Sequence, residues 1–261
     1  MSERRQESPQ LPHPAGGILQ AYMSYTDCPG AWAVLYVHGF TSTRSGEKAD
    51  ALESACTRYG WTFVSFDFRG HGESSGSLLE LRGSGLLEDL DTVRKWLGSR
   101  GVERLCPVGS SMGGWAAAWF AVSRPETVPA CVLIAPGFGF LRLRWDRMTE
   151  TERNQWRDTG RLRIHGPWSD VEIGYGVVEE RDQYPVGQLT ARLTRPTLIF
   201  HGMLDDTVPY TNSLAFMELA AHPHIELRLF KNGDHRLLAF KDQMAEAACA
   251  FFQQHAISTS E

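Results

Sequence analysis

The chain reads as an α/β fold, a mostly parallel sheet with helices on both faces, and two patterns carry that reading. Short apolar runs rich in β-branched and aromatic residues recur at 31–37, 61–66, 105–108, 130–135, 197–200 and 226–230, and most are separated by segments of helical period. Strands that alternate with helices form parallel sheets. Near-continuous apolar strands belong there too, because a parallel sheet is covered on both sides.

The elements follow in order. Leu86, Leu90, Val93 and Leu97 fall at helical spacing, so one face of that helix is apolar. Leu214, Met217 and Ala221 repeat the pattern, as do Phe240, Met244, Ala247 and Phe251. Residues 114–122 are apolar nearly all round, which predicts a central, buried helix. From 136 to 195 the alternation stops for longer than a simple loop allows. We expect a cap inserted at 136–195, holding a helix or two and a small hairpin, between core segments 18–135 and 196–261. Residues 1–17 are polar and proline-bearing and read as a disordered tail.

Composition narrows the function. A net charge of −5 over 261 residues gives no electrostatic footprint for nucleic acid. No apolar run is long enough to span a bilayer. Five cysteines, Cys28, Cys56, Cys106, Cys131 and Cys249, with no Cys-x-x-Cys pair, read as free thiols in a reducing compartment and offer no zinc site. The N-terminus lacks the apolar stretch of a secretory signal, so a cytoplasmic location is expected.

The chemistry centres on Gly109-Ser110-Ser111-Met112-Gly113, which follows an apolar strand and opens the buried helix. That is the strand–turn–helix context of a nucleophile elbow. Gly72-Glu73-Ser74-Ser75-Gly76 matches the same pattern, but no helix follows it directly, so Ser74 is disfavoured. A serine hydroxyl needs a base. His235 lies in a polar loop after strand 226–230, and such loops gather at the carboxyl edge of a parallel sheet, where the elbow also lies. The base in turn needs an acid that fixes its tautomer. Asp205, in the loop after strand 197–200, is favoured over its neighbour Asp206 and over Asp182 in the cap. The Ser, Asp, His order also suits this fold. Two backbone donors for an oxyanion are expected at Met112 and Phe40, the latter in the loop after strand 31–37. His38 and His201 each precede a glycine at a strand end and read as packing and loop hydrogen-bonding residues.

Taken together, His38-Gly39-Phe40, Asp67-Phe68-Arg69-Gly70-His71-Gly72-Glu73-Ser74, Gly109-Ser110-Ser111-Met112-Gly113-Gly114, His201 to Pro209 and Gly233-Asp234-His235 resemble the α/β-hydrolase family. In closer detail they resemble the branch holding a mitochondrial palmitoyl-protein thioesterase that also cleaves acyl glucuronides, with its bacterial relatives. It implies a serine esterase or thioesterase acting on acyl groups of small molecules or acyl-proteins. It implies Ser111, Asp205 and His235 as a triad, with no metal or organic cofactor. The His38-Gly39-Phe40 loop departs from the mitochondrial enzyme, so the expectation is a bacterial-type cytoplasmic esterase. Trp115, Trp145, Trp156 and Trp168 either line an acyl pocket or pack the cap onto the sheet. The stretch 141–145 reads as a solvated strand or cap edge. Three rivals stand beside the esterase: a serine aminopeptidase-like amidase, an acyltransferase using the same nucleophile, and a ligand-binding module without turnover.

Overall fold

The structure, a computed structural model, describes residues 4–166 and 169–257. Its strands are β1 (Arg4–Glu7), β2 (Gln10–Pro12), β3 (Ile18–Thr26), β4 (Trp32–Val37), β5 (Thr62–Phe66), β6 (Arg104–Ser110), β7 (Cys131–Ile134), β8 (Arg161–Gly166), β9 (Ser169–Gly174), β10 (Thr197–Gly202) and β11 (Ile225–Phe230). The helices are α1 (Glu47–Arg58), α2 (Gly83–Gly98), α3 (Met112–Ser123), α4 (Phe140–Asp146), α5 (Glu150–Thr159), α6 (Gly176–Glu179), α7 (Val186–Arg192), α8 (Thr211–Leu219) and α9 (Lys241–Phe252).

The main sheet runs β1-β3-β5-β4-β6-β7-β10-β11, with β2 paired to β3. From β5 to β11 every pairing is parallel; β3 joins β5 antiparallel. One apolar layer packs α1 and α9 on one face of the sheet, and the other packs α2, α3, α7 and α8 on the opposite face. Helix α3 runs through the middle, buried from Met112 to Val122, as its lack of a polar side requires. The expected parallel sheet with helices on both faces is therefore the fold observed.

The N-terminal reading needs correction. Residues 4–7 and 10–12 are not a disordered tail; they pair with β3 as antiparallel strands. The reason is long-range. The Arg4 guanidinium donates to Ser24 Oγ, Ser24 O and Trp61 O. Glu7 pairs with Arg100 at 2.6 Å, and the His13 ring sits 3.2 Å from the buried Asp89 carboxylate. None of these partners is visible in the local composition of a polar, proline-bearing stretch.

Between β7 and α7 the chain builds α4, α5, the β8–β9 hairpin and α6. Residues 141–145 lie in a helix rather than a strand. Leu141 and Trp145, one helical turn apart, are both buried, while Arg142 and Arg144 are exposed. Helix α5 opens with a capping box in which Thr149 and Glu152 satisfy each other's backbone N–H groups. Trp156 is buried against Trp145 and Tyr175, and Trp115 packs edge-on against Tyr184. Trp168 lies outside the described residues.

Candidate active site

Strand β6 ends at Ser110 and α3 starts at Met112, so Ser111 alone makes the turn. Its backbone adopts φ 54°, ψ −112°, a left-handed conformation that a serine rarely takes. The geometry works because the surroundings leave no alternative. A Cβ on Gly113 would lie 2.1 Å from Val37 O and 2.4 Å from His38 O, so only glycine lets the start of α3 seat against the end of β4. Gly113→Ala is accordingly expected to destabilise the fold by about 3 kcal/mol, a Tm drop on the order of 10 °C. Calorimetry measures it, and a drop under 2 °C would mean the β4 end moves aside freely.

The same close packing draws the loops after β10 and β11 together. A Cβ on Gly202 would meet Gly233 O at 2.2 Å. Backbone against backbone, the two loops place Asp205 beside His235. His235 Nδ1 donates to Asp205 Oδ2 at 2.7 Å, and His235 Nε2 accepts from the Ser111 hydroxyl at 3.0 Å. The carboxylate fixes this tautomer, since it can only accept. Of the five residues expected at the site, Ser111, His235 and Asp205 thus form one continuous hydrogen-bonded chain. Met112 N–H belongs to the first turn of α3, where no intrahelical acceptor exists. Phe40 follows His38-Gly39 in the loop that abuts the elbow, and its ring lies 6.1 Å from that of Phe140 in the cap.

Asp205 has a fully buried side chain. Burial alone would raise its pKa. Hydrogen bonds from His201 and His235, the attraction of His235 and the Val208 N–H outweigh burial and hold the carboxyl far below the usual carboxylate range. A carboxyl depressed on folding stabilises the fold above its unfolded pKa of about 4 and loses that contribution as pH falls through the folded value. The Tm gap between the wild type and Asp205→Asn should therefore narrow between pH 7 and pH 3. A gap that widened toward acid would contradict this assignment.

His201, expected as a packing and loop hydrogen-bonding residue, also supports Asp205. Its Nε2–H is shared between Asp205 Oδ2 at 3.1 Å and Val208 O at 3.0 Å, while Nδ1 accepts from the Ser213 hydroxyl. His38 does what was expected of it. It accepts from Phe68 N–H through Nε2 and donates to Gly39 O through Nδ1, which fixes the loop that carries Phe40. The disfavoured candidates lie elsewhere. Ser74 joins Asp67 O to Gln20 N as a structural link, Asp206 is exposed, and Asp182 is exposed in the cap beside Arg142.

Ser111 and His235 open into a cavity of about 860 Å³. Its lining includes the apolar Leu81, Leu141, Trp156, Ile164, Ile173 and Val178, together with Arg144, Arg147, Glu152 and His165 from the cap. Trp156 therefore both lines the cavity and packs the cap, so the two roles left open in the sequence coincide. The cap also reaches the acid's loop, where an Arg147 guanidinium N–H donates to Thr207 O at 3.4 Å.

The family described as serine aminopeptidase, S33, matches residues 29–156. The mitochondrial palmitoyl-protein thioesterase ABHD10 of mouse is 30% identical over 210 residues, 78% of this chain and 69% of the relative. The chain belongs to the α/β-hydrolases, in the ABHD10 branch. Among solved structures, this hydrolase superposes on a putative hydrolase from Agrobacterium vitis with a TM-score of 0.85 at 24% identity, covering 95% of this chain and 99% of the other. It superposes on mouse alpha/beta hydrolase domain-containing protein 10 with a TM-score of 0.82, also at 24% identity and with the same shares covered. At that identity the structural likeness speaks for the hydrolase's fold.

Proposed function

We propose that this hydrolase is a serine esterase or thioesterase that cleaves acyl esters or acyl thioesters through an acyl-enzyme. The observation that carries the reading is the unbroken Ser111–His235–Asp205 hydrogen-bond chain at the wall of a partly apolar cavity. Ser111 Oγ attacks the carbonyl carbon as its proton passes to His235 Nε2, and Asp205 stabilises the resulting imidazolium. The oxyanion is held by the N–H groups of Met112 and Phe40, aided by the positive end of α3. The tetrahedral intermediate collapses, His235 returns the proton to the departing alcohol or thiol, and an ester to Ser111 remains. Water, deprotonated by His235, attacks that ester. The acid leaves and Ser111 recovers its proton. Every bond change is carried by the chain's own groups and water.

The apolar cap residues of the lining suit the acyl chain. A buried methylene is worth about 0.8 kcal/mol, up to about fourfold in kcat/KM. We expect kcat/KM to climb from two to eight carbons across a series of 4-nitrophenyl esters and matched thioesters. A profile that peaks at acetate would remove the acyl chain from the cap.

The aminopeptidase description of the matching family raises a second reading. A peptidase that grips a free amino terminus needs acidic groups facing the substrate. Here the cationic residues lining the cavity, Lys48, Arg144, Arg147 and Arg236, outnumber the acidic pair Glu47 and Glu152. Glu152 is already engaged in its capping box, and Glu47 lies 3.5 Å from the Lys241 ammonium. That balance favours a neutral or anionic substrate. The cytoplasmic location remains part of the proposal, supported by cysteines that are all free, four of them buried. The related ABHD10 proteins are named mitochondrial, and imaging of the tagged full chain separates the two compartments.

A further inference from the structure

The two edges of the main sheet are built differently. At one edge lies β1, four residues of sequence Arg-Arg-Gln-Glu, whose Arg4 and Glu7 are held by partners in their own chain. A short, charged edge strand discourages pairing with another chain. At the other edge lies β11, which among the described residues pairs with β10 alone, in unbroken register from Thr197↔Ile225 to Gly202↔Phe230. Its six residues, Ile-Glu-Leu-Arg-Leu-Phe, include no proline or lysine to blunt the edge.

The ladder shows which groups of β11 face outward. The carbonyls of His224 and Phe230 accept from Thr197 N–H and Met203 N–H on the β10 side. Peptide groups alternate along a strand, so Ile225, Leu227 and Leu229 turn their N–H and C=O groups away from β10. Side chains alternate between the two faces as well. Ile225 and Leu227 belong to the apolar layer that holds α8, and Phe230 to the opposite layer. Leu229 therefore lies on the α8 face, where it is 38% exposed. Of the six large apolar side chains exposed among the described residues, five lie on β11, on α8 or in the loop between β10 and α8; the sixth is Leu79. Apolar exposure gathered in one neighbourhood marks an interaction site.

The charges on the strand name the partner. Glu226 and Arg228 share a face and pair with each other at 3.1 Å. A second β11 laid antiparallel about a two-fold axis at Leu227 sets Glu226 opposite the second copy's Arg228, Arg228 opposite its Glu226, and Ile225 opposite its Leu229. The outward residues then form the hydrogen-bonded pairs, and the opposite charges fall at the closer, non-hydrogen-bonded positions. Moving the axis one residue either way sets Glu226 against Glu226 or Arg228 against Arg228. The strand is thus complementary to itself in one register.

We propose that β11 is a homodimer interface, at which two copies of this chain join edge to edge, antiparallel about Leu227, and continue one sheet through both. The inference is independent of the reaction proposed above. It gives a second neighbour to the strand that leads into the His235 loop.

Sedimentation of the full chain at micromolar concentration should give twice the monomer mass. Leu229→Lys should give a monomer, whereas Leu79→Lys, which alters an equally exposed apolar side chain elsewhere, should leave the dimer intact; circular dichroism and a Tm confirm that each is folded. Glu226→Arg and Arg228→Glu each set like charges across the axis and should raise the dimer Kd by about tenfold or more. Both exchanges together restore opposite pairs and should return Kd to within about threefold of the wild type. A monomer at every concentration overturns the proposal and leaves the edge to a partner of another kind. So does a dimer that survives Leu229→Lys, which would place the interface elsewhere. Single exchanges that leave Kd unchanged, or a double exchange as weak as the single ones, overturn it too, because the strands would not then meet about Leu227.

Discussion

Ser111→Ala is expected to lower kcat on the best acyl ester by at least about 10⁴-fold, with the folded protein intact. Among the described residues, the Ser111 hydroxyl is the group hydrogen-bonded to His235 Nε2. The loss is set by the whole chain of groups, because a base and an acid without their nucleophile retain only what binding and the oxyanion donors supply. Stability should scarcely change. The turn is held by backbone packing at Gly113 rather than by the Ser111 side chain, and alanine meets the same left-handed backbone that serine already tolerates. Active-site titration with a fluorophosphonate, alongside steady-state kinetics and a Tm, checks both halves. A variant that keeps more than a hundredth of the rate would move the nucleophile elsewhere.

Asp205→Asn is expected to cost about 10³ to 10⁴-fold in kcat, more than loss of a negative charge alone would suggest. Each oxygen of Asp205 faces donors. Oδ1 accepts from Thr207 N–H and Val208 N–H, and Oδ2 accepts from His201 and His235. The backbone donors cannot turn, so an asparagine must put its carbonyl oxygen toward them and its amide nitrogen toward the histidines. His235 Nδ1 must then accept, which moves the ring proton to Nε2. In that tautomer His235 cannot take the proton of Ser111. The loss should therefore appear in kcat rather than KM and ease above neutral pH as hydroxide replaces the missing base. A fall of less than tenfold would mean that His235 takes its orientation from another partner.

How much of this was legible in the sequence depended on how locally each feature is encoded. The central strands and α3 were plain, since a run such as residues 114–122 has no polar side to expose. Ser111 could be told from Ser74 because a strand precedes it and a helix follows it. Asp205 and His235 could be placed at one sheet edge by topology, without knowledge of their distance. The N-terminal strands were misread because their partners, Ser24, Trp61, Arg100 and Asp89, are far away in the chain. Residues 141–145, read as a solvated strand or cap edge, form a helix in the cap, because a short run that alternates Leu and Arg fits either period and Leu141 and Trp145 are buried one turn apart. His201 was read as a packing and loop hydrogen-bonding residue, as it is; that its partner is Asp205 could not be read, because only the folded chain creates that contact.

The cap springs from a single connection, between β7 and α7, and contributes none of Ser111, Asp205 or His235. Loops at a sheet's carboxyl edge accept insertions because strand pairing does not pass through them. Much of the cavity lining and the Ser111–His235–Asp205 groups thus lie in separate stretches of the gene. A lineage can lengthen, trim or replace residues 136–185 and explore new acyl groups while the machinery beneath is inherited unchanged. The same partition makes that segment the natural cassette for exchanging substrate range between relatives in the laboratory.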